Sequence, residues 1–141
     1  RSRAHVVTAV DDIVRRRGRI DILVNNAGIM RRAPFLDVED QDWDEIIATN
    51  LTAYFIVSQV VARVMSQQGF GSIVNVSSTN DLIASRDCTP YAVAKGGVGM
   101  LTNRCTNPAI CCVRCTKRKS MERRCCPIRR GRSFQVSGNA R

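Results

Sequence analysis

Two periodicities of apolar and polar positions run through the chain, and each predicts a different kind of element. Apolar side chains recur at helical spacing over residues 6–14 and along the longer stretch 40–68. The short apolar runs at 20–24 and 71–77 are typical of strands buried in a parallel sheet. A third helix is predicted over 91–102. The order helix, strand, helix, strand, helix predicts an α/β fold with a doubly wound parallel sheet.

Small and polar residues stand where both predicted strands end. Asn25-Asn26-Ala27-Gly28 follows the first strand, and Ser78 follows the second. In a parallel α/β sheet the carboxyl ends of the strands open on one edge, where ligands bind. We therefore expect Asn26, Ser78 and Tyr91 to converge at that edge. An ordinary turn is the alternative for residues 25–28.

The pair Tyr91 and Lys95 has the spacing of a proton-transfer site. Residues four apart on a helix lie on one face, one turn from each other. A phenolate at neutral pH needs roughly 4 kcal/mol of stabilisation. An ammonium about 4 Å away supplies roughly that much at an effective dielectric constant of about 20. The alternative is a chance pair on the surface of a helix.

Two further features of the predicted helices call for tertiary partners. Asn50 lies on the apolar stripe of the long helix, and a buried amide without a hydrogen bond costs about 1–3 kcal/mol. It is therefore expected either to satisfy a local backbone break or to face a hydrated site. Gly96, Gly97 and Gly99 weaken the last helix by about 1 kcal/mol each relative to alanine, which predicts an element packed closely against it.

Charge and cysteine content divide the chain into two parts. The chain has 22 Lys and Arg against 12 Asp and Glu, but residues 1–103 carry 11 of each sign. Residues 104–141 carry 11 basic side chains and a single acidic one, Glu122, together with six of the seven cysteines. We therefore expect a folded domain in 1–103 and a basic, cysteine-rich tail in 104–141.

Targeting signals are not evident. No apolar run appears long enough in the sequence to span a membrane, and the start, Arg-Ser-Arg-Ala-His, lacks the apolar core of a secretory signal. We expect a cytoplasmic protein with no membrane partner. Because the sequence does not begin with Met, we also expect it to be a fragment of a longer protein.

Four motifs in order and at fitting spacing resemble the short-chain dehydrogenase/reductase family. They are Asn25-Asn26-Ala27-Gly28, Thr-Asn-Leu around Asn50, the strand leading into Ser77-Ser78, and Tyr91-Ala-Val-Ala-Lys95. The resemblance covers about residues 3–103. It implies a Rossmann-type domain, here incomplete, that binds NAD or NADP.

The resemblance also implies a role for each matching residue. Tyr91 would exchange a proton with the substrate oxygen while the nicotinamide exchanges a hydride with the carbon. Lys95 would stabilise the phenolate and hydrogen-bond the nicotinamide ribose. Ser78, rather than Ser77, would hold the substrate oxygen, and Asn50 would hold a water that links Lys95 to solvent. The cofactor cleft would be lined by Asn26, Ala27 and Gly28, together with Tyr91 and Lys95.

The sequence departs from the family at both ends. It contains no Thr-Gly-x-x-x-Gly-x-Gly turn to hold the pyrophosphate at a helix N-terminus, and it lacks the residues that select NAD or NADP. Past Asn103 the family pattern, charge balance and cysteine content all break together, so we interpret 104–141 as disordered or read in a shifted frame. A zinc site is one alternative, and nucleic-acid binding by the basic cluster is another, which the single aromatic Phe134 makes improbable. The zinc ligands would be Cys112, Cys115, Cys125 and Cys126.

These observations predict an NAD(P)-dependent oxidoreductase acting on a small secondary alcohol or ketone, such as a sugar acid or a 3-oxoacyl compound. We expect the intact protein to be a homo-oligomer. The alternatives are an inactive fragment of such an enzyme, or an interaction protein with a nucleic-acid-binding or zinc-binding tail. We expect the isolated chain to bind cofactor poorly and to be inactive, because the pyrophosphate anchor is absent.

Overall fold

The computed structural model describes residues 2–79, 86–104, 109–115 and 121–122. Four strands form one sheet in the order β1-β2-β3-β4, with the first three parallel and the short β4 antiparallel to β3. A 3₁₀ turn and a π-helical segment complete the described elements. The strands are β1 (Ile22–Asn25), β2 (Gly71–Val76), β3 (Ile110–Cys115) and β4 (Met121–Glu122). The helices are α1 (Arg3–Arg17), α2 (Asp40–Ile47), α3 (Ala53–Gln68) and α4 (Thr89–Arg104), with the 3₁₀ turn at Phe35–Asp37 and the π segment at Ala48–Thr52.

The first helix begins and ends as its sequence predicts. The hydroxyl of Ser2 accepts a hydrogen bond from the backbone N–H of Ala4, which caps the N-terminus of α1. Gly18 takes a left-handed conformation with φ of 77° after the last turn, and its N–H donates to the carbonyl of Val14 at 2.7 Å. A glycine meets that conformation without steric cost.

The stretch predicted as one helix over 40–68 is a continuous helix with a break inside it. The π segment Ala48–Thr52 separates α2 from α3, and the N–H of Ala53 donates to the carbonyl of Ala48, five residues back. By length and composition this 29-residue helix is able to cross a membrane, which the sequence analysis did not recognise. Four residues of α3 are nevertheless buried, and this helix contacts the strands of the sheet: Tyr54, Ser58, Val61 and Met65.

The described helices all lie on one face of the sheet. Alternate strand residues point to this face, and they form the core with residues of α1 and α3: Val10, Val61, Met65, Ile73, Ile110 and Cys112. Helix α4 reaches the same face through Thr102, which contacts Asn75 of β2. Crossovers that run in one direction between parallel strands are right-handed, which puts their helices on one side.

Among the described strands β1 lies at one end of the sheet, and its exposure differs from one expectation. The sequence predicts a buried strand at 20–24, but β1 begins at Ile22, and Ile22 and Val24 are 64% and 56% exposed. Both residues belong to the opposite sheet face, against which no helix packs among residues 2–79, 86–104 and 109–115. Parallel sheets normally have both faces covered.

Part of the predicted tail belongs to the sheet. Strand β3 pairs with β2 in parallel register, with Cys112 opposite Ile73, and the side chain of Cys112 is buried in the core. The sequence analysis assigned no strand there. The proposed zinc ligands Cys125 and Cys126, like the rest of 123–141, lie outside the described residues. No group of three or more potential metal ligands occurs within the part of the chain that the structure describes.

The glycines of α4 differ in their surroundings. A Cβ atom on Gly97 would lie 2.8 Å from Cδ2 of Leu51, so the π segment packs tightly against the helix there, as predicted. A Cβ atom on Gly96 would have no neighbour within 4 Å, so the prediction is wrong at that position. The close contact therefore involves one glycine of this pair and connects α4 to the segment that contains Asn50.

Candidate active site

The side chain of Lys95 is the centre of the candidate site. It is 3% exposed, and its Nζ donates to the carbonyl of Val76 at 2.8 Å and to the hydroxyl of Tyr54 at 3.3 Å. The same nitrogen lies 5.8 Å from the ring centroid of Tyr91, one helical turn away on α4. The predicted pairing of Tyr91 with Lys95 is therefore present, and the helix buries the ammonium close to the phenol ring.

Two tyrosines flank the ammonium, and they differ in environment. Tyr54 is 2% exposed, and this burial raises the pKa of its hydroxyl above the ordinary value of 10.0. A negative charge on Tyr91 raises the pKa of Tyr54 further. Tyr91 is only half-buried. Tyr54 therefore stays a neutral hydroxyl, and Tyr91 is the phenol that a ligand can reach.

Asn50 fixes the loop that follows β1. The backbone N–H of Ile29 donates to its Oδ1 at 2.9 Å, and its Nδ2 donates to the carbonyl of Ile29 at 2.7 Å. Asn50 is completely buried. It lies in the π segment, which is a local break in the α-helical hydrogen bonding. The hydrogen-bond partners of the amide are nevertheless on the loop, 21 residues away in sequence.

The residues predicted to line a cofactor cleft lie at the open edge of the sheet. Asn26, Ala27 and Gly28 directly follow β1 and are exposed. A Cβ atom on Gly28 would lie 3.4 Å from Oδ1 of Asn50 and 3.7 Å from Nζ of Lys95. Gly28 therefore lies directly beside both polar groups, and its lack of a side chain leaves the room that a Cβ atom would take.

The two serines after β2 have different surroundings. Ser77 is buried, and its hydroxyl donates to the main-chain carbonyl of Lys95 at 3.2 Å. This bond attaches the end of β2 to α4. Ser78 is half-buried and is the next residue along the chain. The geometry thus engages Ser77 with the helix, and the choice of Ser78 for substrate binding stays a prediction.

A buried amide ladder, which the sequence analysis missed, holds the site elements together. Nδ2 of Asn25 donates to Oδ1 of Asn75 and to the hydroxyl of Ser58, both at 2.8 Å. Nδ2 of Asn75 donates to the hydroxyl of Thr102 at 3.0 Å. The ladder thereby connects β1, β2, α3 and α4. Its only sequence signal is an Asn near the end of each apolar strand, Asn25 and Asn75.

The loop after Gly28 carries two arginines with different partners. Arg31 forms ion pairs with Asp42 and, at 2.8 Å, with Glu45, and the hydrogen bond and charge of Asp42 raise its pKa most. Arg32 donates to the main-chain carbonyl of Arg86 at 3.3 Å. Within the described residues Arg32 has no carboxylate partner. Arg32 is exposed, and its described contact is with the main chain that leads into α4.

Fold and site together define a class of protein. A parallel α/β sheet with exposed small residues at the carboxyl ends of its strands is typical of a Rossmann-type domain, and here a buried lysine lies one helical turn from a tyrosine beside those residues. The chain belongs to the short-chain dehydrogenase family, whose family model, described as short chain dehydrogenase, matches residues 1–110. The predicted family and fold class are thus confirmed.

Similar proteins include several sugar-acid enzymes. The chain is 47% identical over 94 residues to a 5-keto-D-gluconate 5-reductase of Escherichia coli K12, covering 67% of this chain and 37% of that protein. It is 44% identical over 96 residues to a 3-oxoacyl-[acyl-carrier-protein] reductase of Thermotoga maritima, covering 68% of this chain and 39% of that protein. A gluconate 5-dehydrogenase from Burkholderia cenocepacia, solved with NADP and tartrate, superimposes with a TM-score of 0.70 at 46% identity.

The matched region is a part of each relative. The superposition on the Burkholderia cenocepacia enzyme covers 72% of this chain and 40% of that one. The chain thus spans about two fifths of the length of these relatives.

Proposed function

We propose that the protein represented by this chain is a nicotinamide-dependent oxidoreductase that interconverts a secondary alcohol and a ketone. One observation carries the proposal: the buried ammonium of Lys95 lies close to the ring of Tyr91 and beside the space that Gly28 leaves open. A buried charge is costly unless it is paired or used. In this proposal the ammonium stabilises a phenolate on Tyr91.

Each site residue has a definite task in this reaction. The nicotinamide supplies or accepts the hydride when it is bound. Tyr91 gives a proton to the ketone oxygen, or takes one from the alcohol, and general acid–base catalysis of this kind contributes typically 10²–10⁴-fold. Lys95 stabilises the phenolate, and Ser78 holds the substrate oxygen. Asn50 keeps the loop at Ile29 in place. A water held by Asn50 would connect Lys95 to solvent.

The proposed substrate is a sugar acid, with a 3-oxoacyl compound as the second candidate. A sugar acid carries a carboxylate, for which the guanidinium of arginine is the preferred partner. Arg32 is exposed on the loop that follows Gly28, donates to the carbonyl of Arg86, and has no acidic partner among the described residues. Relatives named for gluconate and for 5-keto-D-gluconate support this choice, and the reductase of Thermotoga maritima supports the second.

The proposed cofactor is NADP or NAD. The open edge at Asn26, Ala27 and Gly28 suits the nicotinamide end, and the related Burkholderia cenocepacia enzyme was solved with NADP. The sequence contains no glycine-rich turn for the pyrophosphate. We therefore expect the isolated chain to bind dinucleotide with a Kd well above the micromolar range. Micromolar binding measured by calorimetry would contradict this expectation.

For the intact protein we propose a homo-oligomer. Large apolar side chains of α3 and α4 are exposed on the described part of the chain, namely Phe55, Val93 and Met100. A second copy would cover them. Light scattering that shows a monomer at all concentrations would contradict this part of the proposal.

A chimera tests the catalytic proposal directly. Residues 3–103 of this chain would replace the matching segment of the Escherichia coli 5-keto-D-gluconate 5-reductase, which supplies the rest of the fold. We expect NADPH-dependent reduction of 5-keto-D-gluconate, and a loss of about 10²–10⁴-fold in kcat for Tyr91→Phe. Arg63→Ala, an exposed position on α3, is the control and should leave kcat unchanged. A folded chimera whose activity is insensitive to Tyr91→Phe would refute the assignment.

A further inference from the structure

Tyr54 lies beside the proposed proton-transfer pair and belongs to none of the motifs that carry the family resemblance. It is the second residue of α3, directly after the π segment Ala48–Thr52. Its side chain is almost completely buried. A buried tyrosine hydroxyl normally requires hydrogen-bond partners, so its neighbours indicate what it does.

The hydroxyl of Tyr54 takes part in a closed triangle of polar contacts. It donates to the carbonyl of Val76 at 3.4 Å and accepts from Nζ of Lys95 at 3.3 Å. Nζ of Lys95 also donates to the carbonyl of Val76. The ammonium lies 4.9 Å from the Tyr54 ring centroid, which is within the range of a cation–π interaction. Tyr54 therefore contacts the ammonium through both its oxygen and its ring.

Two side chains at the π segment, four residues apart, reach different parts of the site. Asn50 lies inside the segment and contacts Ile29, whereas Tyr54 follows it and contacts Lys95. Single π turns in α-helices occur frequently at functional sites. The amide of Asn50 thus contacts the loop after β1, and the phenol of Tyr54 contacts the end of β2.

We propose that Tyr54 is a positioning residue that fixes the ammonium of Lys95 at the carboxyl end of β2, where it faces Tyr91. The inference rests on the proposed function, which assigns Lys95 to the site. Lysine carries its charge on a flexible four-carbon stem, so an ammonium with fewer partners would sample more positions. Since burial keeps Tyr54 protonated, its oxygen remains a neutral acceptor across the working pH range.

The test follows the reactivity of Lys95 in the full chain and in Tyr54→Phe, which keeps the ring and removes the hydroxyl. Acylation by an N-hydroxysuccinimide ester is measured by peptide mass spectrometry over a range of pH, with Lys117 and Lys119 as references in the same molecule. Without the hydroxyl the charged form of Lys95 loses an acceptor. We expect its relative acylation rate to rise about five-fold and its pH midpoint to fall.

Thr102→Val is the matched control, because it removes another buried hydroxyl from the same fold. Thr102 bonds to Asn75 and to the carbonyl of Val98. We expect it to lower the melting temperature without shifting the pH midpoint of Lys95. An unchanged midpoint in Tyr54→Phe, or the same shift in Thr102→Val, would overturn the proposal.

Two further measurements make the outcome unambiguous. If circular dichroism shows that Tyr54→Phe is unfolded, the wild-type chain is examined by NMR for a nuclear Overhauser effect between the Tyr54 ring and the ε-methylene of Lys95, whose absence overturns the proposal. NADPH should protect Lys95 in the chimera, which supplies the rest of the fold. A Tyr54-dependent midpoint in the full chain without protection in the folded chimera would support the positioning role and contradict the proposed cofactor site.

Discussion

Replacing Asn75 by Leu tests whether the amide ladder connects β1, β2 and α4 energetically. The change keeps the side-chain volume and removes two hydrogen bonds, one from Asn25 at 2.8 Å and one to Thr102 at 3.0 Å. Each contributes about 1 kcal/mol net, and loss of the acceptor for the buried Asn25 amide adds about 1–2 kcal/mol. We expect the free energy of unfolding to fall by about 3–4 kcal/mol, a large part of the 5–15 kcal/mol typical of a domain.

The assay is urea denaturation followed by the fluorescence of Trp43, the single tryptophan of the chain. A double-mutant cycle with Thr102→Val isolates one bond of the ladder. Because the doubly substituted chain loses the Asn75–Thr102 bond once rather than twice, we expect a coupling energy of about 1 kcal/mol. Gln59→Leu removes an amide whose hydrogen bond to Arg3 is on the surface, and it should change stability by less than about 0.5 kcal/mol.

Two results would refute this reasoning. One is a loss of less than about 1 kcal/mol for Asn75→Leu, which would show that the buried amides find other partners. The other is additivity of the two single substitutions within about 0.3–0.5 kcal/mol, which is what independent sites show. The first result would mean that the pairing of β1 with β2 does not depend on Asn25 and Asn75, and the second that Asn75 and Thr102 do not couple β2 to α4.

Other predictions concern α4, pH and the tail. Gly96→Ala should stabilise the chain by about 0.5–1 kcal/mol, since nothing lies near its Cβ position. Gly97→Ala should destabilise it, because the added Cβ atom forces Leu51 aside. Thermal melts of the two variants measure both effects. Folding raises the pKa of Tyr54, so the unfolded chain releases this proton at a lower pH than the folded chain does. The free energy of unfolding should therefore fall as the pH rises above about 10. Denaturation curves of Tyr54→Phe should show a smaller fall. If the reading frame shifts near codon 103, the flanking DNA should encode a glycine-rich turn upstream and a Pro-Gly segment in another frame downstream. An intact mass and DNA that continue the family pattern in the same frame would contradict this.

Local patterns predict the elements of this chain because each helix buries one stripe of its own sequence. The helix α1, the long helix up to Gln68 and the spacing of Tyr91 and Lys95 on α4 all follow from neighbours within four residues. The family and the fold class could therefore be recognised from four short motifs. The confirmed parts are those in which the interacting residues are close in sequence.

Contacts between distant residues could not be predicted in this way. The bond from Asn25 to Asn75 joins residues 50 apart and depends on the register of two strands. Strand β3 was missed because a basic, cysteine-rich composition is untypical of a buried strand, although pairing with β2 places Cys112 in the core. The contact of Tyr54 with Lys95 likewise depends on how α3 and α4 pack on the sheet.

The π segment adds a residue to its helix, so it determines which way the residues beyond it face as well as the length of the helix. An α-helix turns by about 100° per residue, so one added residue changes the rotational phase of everything beyond it. Before the segment, buried Ile46 lies on α2, which packs against α4; after it, α3 faces the strands. Deleting a single residue between 48 and 52 would rotate one half of the helix relative to the other by about that angle. Substitutions in this segment would weaken the packing of the helix by graded amounts. A one-residue deletion would instead prevent α2 from packing against α4 while α3 packs against the strands.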